Sequence, residues 1–208
     1  FNKKYLKEVL VRERGNGIHG KFIKDVHDVA LRSLNYSGIK DDVLLLSNDA
    51  DCQGMSDDYL TKMLEVGDNK KEKDAFLGRI EWDTKRWQDY PSFHLSVRFL
   101  QFLDLVARYP KGDQSCHIPT SGANSMVKAS ILAAIGGVDP ENNIGGGADI
   151  NLGRRIKYAR GPQAEMPIDY VHAAWLDTNG DRAFNAYVQG KSVMRMWSDF
   201  DKSGYKSR

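Results

Sequence analysis

Two hydrophobic periods run along the chain, and the switches between them mark its elements. From Lys21 to about Tyr36, Phe22, Ile23, Val26, Val29, Ala30 and Leu34 recur on one helical face, after a Gly15-Asn16-Gly17 loop. Asp42 to Ser47 reads as a buried strand that stops at two carboxylates, Asp49 and Asp51. Ser56-Asp57-Asp58 offers capping oxygens for a helix through Leu60, Met63, Leu64 and Val66, ending at Gly67. Ala75 to Trp82 is strand-like. Ser92 to about Tyr109 is a long apolar helix, ended by Pro110-Lys111-Gly112-Asp113.

The second half repeats the alternation. Gly122 to Val127 predicts a short strand, and Lys128 to Ile135 a helix with Gly136-Gly137 as its left-handed cap. Gly145-Gly146-Gly147 leads into a helix from about Asp149 to Tyr158. Met166 to Val171 predicts a last strand with His172 at its end, and Arg182 to Trp197 a final helix. Alternating helices and strands predict an α/β layer architecture.

Composition narrows the class. The chain has 208 residues, 41% of them hydrophobic, enough for one core of ordinary size. With 30 basic and 28 acidic residues the net charge is +2, which gives no reason to expect nucleic acid as a partner. The basic end, Lys202 to Arg208, reads as a solvated tail. Cys52 and Cys116 form neither a zinc spacing nor a disulfide framework, which suits a reducing compartment. No stretch has the length of a membrane span, and no signal-peptide pattern is present, so the chain is expected to be cytoplasmic. It opens on Phe1, as a piece of a longer protein would, and a membrane anchor could lie outside it.

Three features carry candidate chemistry, each with a plain structural alternative. Asp49-Ala50-Asp51 could simply turn the chain. It could equally offer hard oxygen donors to a divalent cation that also holds phosphate. Asp149, after three glycines at a helix start, could cap that helix or act as a general base toward a hydroxyl. His172 could be a surface histidine, or an imidazole ligand to the same cation. His19, His27, His94 and His117 have no spacing that singles them out.

In their order these motifs resemble the glycosyltransferases of family two and relatives with the GT-A fold. The likeness rests on Val43–Leu46 followed by Asp49-Ala50-Asp51, then Gly122-Ala123-Asn124, then Ile135-Gly136-Gly137-Val138-Asp139. Gly147-Ala148-Asp149-Ile150-Asn151-Leu152 follows, with Arg155 in the expected place. Gly15-Asn16-Gly17 and Gly20-Lys21 are similar to the family's Gly-rich segment before the metal strand. The resemblance covers roughly residues 14–175 of a single partial domain spanning 1–208, with a C-terminal helix and tail over 176–208.

The resemblance implies a three-layer α/β/α fold with a mixed sheet, and a transferase that moves a sugar from a nucleotide-diphosphate donor to a hydroxyl. Asp49, Asp51 and His172 would hold Mn²⁺ or Mg²⁺, with Asp51 in direct contact. Asp149 would be the base for an inverting attack. Lys21, Asn48 and Asp49 would meet the nucleotide or its phosphates. Arg79, Trp82, Gly122 and Asn124 would meet sugar or acceptor, the latter a glycan, a lipid-linked or another hydroxyl compound. Ala148 stands where the family usually has Glu. The family's N-terminal strand, helix and strand, which cradle the nucleobase, have no counterpart before Gly15, so the sheet is expected to be incomplete and to pair an open edge with a second copy. A retaining transferase and a non-catalytic carbohydrate-binding or assembly module are the alternatives.

Overall fold

The computed structural model describes residues 19–39, 42–49, 52–82, 87–108, 124–139, 147–161 and 165–190. Their elements are α1 (His19–Tyr36), β1 (Leu44–Asn48), β2 (Cys52–Met55), α2 (Tyr59–Asn69), β3 (Ala75–Trp82), α3 (Pro91–Arg108), β4 (Asn124–Lys128), α4 (Ala129–Ile135), α5 (Gly147–Ala159), β5 (Ile168–Thr178) and α6 (Asp181–Val188). The fold is α/β, as the alternating pattern predicts. No helix among the described residues is long and apolar enough to cross a membrane.

The strands form one mixed sheet in the order β1-β4-β3-β5-β2. β4 pairs antiparallel with both β1 and β3, while β3 and β5 are parallel. β1, β3 and β5 therefore share a direction, and their carboxyl ends share one edge. The sheet is mixed, as expected, because β4 enters reversed between β1 and β3. β1 is also an edge strand, half-buried rather than buried, since it has a strand neighbour on one side only.

Strand alternation divides the core. On one face, Ala75, Leu77, Val127 and Ile168 meet Leu132 of α4 and Leu152 and Ile156 of α5, with Ile23 and Leu31 of α1 packed beside them. On the other, Phe76, Met126, Val171, Ala174 and Leu176 meet Tyr59 and Met63 of α2. Helices thus cover both faces of the sheet. A third cluster joins Trp87, Phe93 and Val97 to Phe184 and Tyr187 of α6.

Several boundaries differ from the sequence reading for identifiable reasons. Gly67 lies inside α2 rather than ending it, because α2 packs tightly on β1: a β carbon at Gly67 would sit 2.5 Å from Leu44 Cδ1. β2 was not predicted. β5 continues seven residues past Val171, so His172 lies within the strand and not at its end. Gly136 does adopt the left-handed cap, with φ of 71°. The predicted last helix is observed over Asp181–Val188, and its continuation to Trp197 lies outside the described residues.

Candidate functional site

Register sets several candidate residues in neighbouring positions of the sheet. Asn48 pairs with Asn124, and Ser125 with Leu77, so Asn124 stands beside Gly78, which in turn pairs with Val171. The next residue on each parallel strand is Asp49, Arg79 and His172. Counting through the reversed β4, β1 and β3 lie about 10 Å apart in this row. By alternation Asp49, Arg79 and His172 all fall on the face that carries α1, α4 and α5.

The two sheet edges also meet at this end. Cys52 N donates to Asp49 O at 3.3 Å, joining the end of β1 to the start of β2 although these are the outermost strands. The sheet curls around α2, whose Tyr59 and Met63 share a cluster with side chains from all five strands. Asp51 and Gly122 lie outside the described residues, as does the side chain of Lys21, whose backbone is in the first turn of α1.

Asp149 approaches from α5. It sits in the first turn, half-buried, on the same stripe as core residues Leu152 and Ile156. The far end of α5 is fixed to the sheet by Arg160 Nη2, which donates to Asp74 Oδ1 at 2.6 Å just before β3. Arg155 sets the neighbouring helix, donating from Nη1 to Gly137 O at 2.7 Å and from Nη2 to Ile135 O. This cation at the C-terminus of α4 satisfies free carbonyls and complements the helix dipole.

Arg79 is the centre of the polar contacts. Its Nη1 lies 3.2 Å from His172 Nε2, and its Nε lies 3.0 Å from Glu81 Oε1. Glu81 also accepts from Gln101 Nε2 at 3.0 Å and has Arg98 Nη1 at 3.6 Å. Arginine has no acceptor and stays protonated. Where Arg79 donates in this contact, His172 Nε2 is the acceptor and the ring proton sits on Nδ1. Glu81 was not singled out in the sequence, although its i, i+2 spacing from Arg79 puts both on one strand face.

Asn48 and Asn124 meet through a residue that the sequence did not flag. Tyr59 Oη lies 2.7 Å from Asn124 Oδ1 and 3.0 Å from Asn48 Oδ1. Asn124 Nδ2 donates to Arg79 O at 3.0 Å and to Ala174 O at 3.3 Å, which fixes Asn124 Oδ1 as an acceptor. Tyr59 Oη thus faces two acceptor oxygens, and its single proton serves the nearer one, on Asn124. Asn124 is fully buried with its polar atoms occupied by the protein, so it acts inside the fold rather than against an acceptor. Burial pushes the Tyr59 phenol up to about 12, with the Asn48 contact opposing the shift. Trp82 likewise packs against the Trp87, Phe93 and Val97 cluster. On the α1 side, His27 Nε2 lies 3.4 Å from Ser47 Oγ, and burial lowers its pKa.

Among the described residues no group of three His, Cys, Asp or Glu gathers closely enough to hold a metal, and Asp51 is not among them. The donor set of two carboxylates and an imidazole suits Mn²⁺ in chemical type. What the described arrangement offers directly is Arg79 against His172 within the parallel strands β3 and β5, with Asp49 just past the end of β1. The chain matches no protein-family model, and no curated protein is significantly similar to it.

Proposed function

We propose that the chain is the metal- and acceptor-binding part of a glycosyltransferase with a GT-A-like fold, moving a sugar from a nucleotide-diphosphate donor to a hydroxyl with inversion. The observation that supports this most is the contact of Arg79 on β3 with His172 on β5, on the sheet face that also carries α5 with Asp149 in its first turn. Asp49, Asp51 and His172 would hold Mn²⁺ or Mg²⁺, which when bound would neutralise charge on the departing nucleoside diphosphate.

The chain's own groups divide the remaining work. Arg79 offers a fixed positive fork to phosphate oxygens, and its bond to His172 is the one it would exchange for them. Asp149 takes the proton of the acceptor hydroxyl as that oxygen bonds to the anomeric carbon. The bond from the anomeric carbon to the phosphate oxygen breaks, and the diphosphate leaves with its electron pair.

Calorimetric titration with nucleoside diphosphates, with and without Mn²⁺, tests the donor half. Binding that requires Mn²⁺ and is lost in Asp49→Ala supports the reading; no metal-dependent binding to any nucleoside diphosphate overturns it. Asp149→Asn tests the acceptor half, with transfer falling about 10²–10⁴-fold while nucleotide affinity holds. A non-catalytic carbohydrate-binding module is the second reading, favoured by Ala148 and by the enclosure of Asn124. Under it Asp149→Asn leaves the protein's biological activity intact.

A further inference from the structure

The ladder between β3 and β5 is interrupted beside the candidate site. Gly78 pairs with Val171 but Arg79 pairs with Trp175, so His172, Ala173 and Ala174 fall between consecutive register positions. A break of this kind bends a strand and leaves backbone groups without ladder partners. Here the break is closed from a third strand. Asn124 belongs to β4, yet its amide hydrogens reach across β3 to Arg79 O and Ala174 O, one carbonyl on each side of the gap. The route exists because residue 78 is glycine: a β carbon there would fall 2.2 Å from Asn124 Nδ2 and 2.4 Å from its Cγ. Tyr59 holds the other end of the amide at 2.7 Å. Ser56 clamps the far side, its N donating to Trp175 O at 3.0 Å and its Oγ accepting from Trp175 N at 3.4 Å.

The outcome is a bulge with a defined shape. Ala174 is fully buried while His172 and Ala173 are exposed, and His172 Nε2 comes within 3.2 Å of Arg79 Nη1. Taking His172 and Arg79 as parts of the site proposed above, we infer that Asn124, Gly78 and Tyr59 are positioning residues that hold the β5 bulge so that His172 faces Arg79. None of the three touches a ligand in this role. Asn124 acts through two carbonyls, and Tyr59 acts through Asn124.

The tautomer of His172 reports on this device without requiring turnover. Arg79 donating to Nε2 holds the proton on Nδ1, whereas a free histidine ring favours Nε2. Long-range ¹H–¹⁵N spectra of the full chain, at a pH where the ring is neutral, read the difference, with the His172 signals assigned by their loss in His172→Gln. The expected result is an Nδ1-protonated His172 in the parent protein and in Leu132→Ala, which weakens the core on the face away from Asn124 and Tyr59. Asn124→Ala should shift His172 to the Nε2-protonated form, and Tyr59→Phe should give a mixture. A folded Asn124→Ala with the parent spectrum would overturn the inference, as would an Nε2-protonated parent. If Asn124→Ala does not fold, Tyr59→Phe decides: an unchanged His172 spectrum overturns the proposal and a shifted one supports it. Absence of nucleotide binding would sink the transferase reading while leaving this spectrum as expected, so the two failures are distinguishable.

Discussion

The side-chain amide of Asn124 lies directly over the α carbon of Gly78. The two residues exclude each other's alternatives, because a methyl group at position 78 claims the space of the amide. Gly78→Ala is expected to destabilise the protein by about 3 kcal/mol, combining overpacking with loss of the Asn124 hydrogen bonds. The double variant Gly78→Ala with Asn124→Ala should cost less than the sum of the singles, since the new methyl enters volume already vacated. Urea unfolding of the four proteins measures the coupling, and strict additivity would contradict the contact.

Tyr59 ties stability to alkaline pH. Its folded pKa is raised from 10.0 to about 12 by burial, so the unfolded chain ionises first. The contribution is full below pH 10 and is lost as pH rises toward 12, at up to about 1.4 kcal/mol per unit. Tyr59→Phe should flatten this limb and cost about 1–2 kcal/mol at neutral pH, through the unpaired Asn124 oxygen. Denaturation midpoints across alkaline pH test both effects.

His27 acts at the other end of the scale. Its pKa is lowered from 6.5 by burial, so the unfolded chain takes up the proton first. The contribution is complete above pH 6.5 and declines as pH falls through the depressed folded value. His27→Gln should remove this acid-side slope while the alkaline limb stays as it was. A titration of His27 at or above its ordinary pKa would contradict the prediction.

Arg160 seats the helix that carries Asp149. Asp74 is buried, and Arg160 is its closest cationic partner, with Lys128 at 4.0 Å. Arg160→Ala leaves a buried carboxylate poorly paired and is expected to cost about 2 kcal/mol, a figure reduced because Arg160 is itself partly exposed. Hydrogen exchange should speed up along α5 more than along α2, which packs on the other face.

Helices and the strands β3 and β4 were legible because their periods are local. Ala75–Trp82 matches the observed strand at both ends. The reversal of β4 was not legible, since pairing direction leaves no mark on the strand's own residues. β2 was missed because Cys52–Met55 is short and carries Gln and Gly, with only half-buried positions. The true length of β5 was hidden by its bulge: three residues without register partners break the alternation after Val171, so the pattern ends seven residues early.

The site was legible in part. Asp49, Arg79 and His172 were singled out from residue type and from a resemblance, and the fold sets Arg79 against His172. Glu81 was within reach of sequence reasoning, by its spacing from Arg79. Tyr59 was not, because nothing local distinguishes it from an ordinary core tyrosine at a helix start. Asn124 read as a substrate contact, and only the tertiary fold shows its amide engaged with backbone carbonyls.

The strand order has a consequence for how the chain can fold. Among the described residues, β1, β2 and β3 pair with no member of their own group, and each meets only β4 or β5. During synthesis from the N-terminus the first three strands therefore emerge without sheet partners and wait for residues 124–178. Long-range pairing of this kind is slow to close and leaves strand edges exposed meanwhile. The carboxylate-bearing end of β1 becomes fixed in place only when β4, carrying Asn124, arrives beside it.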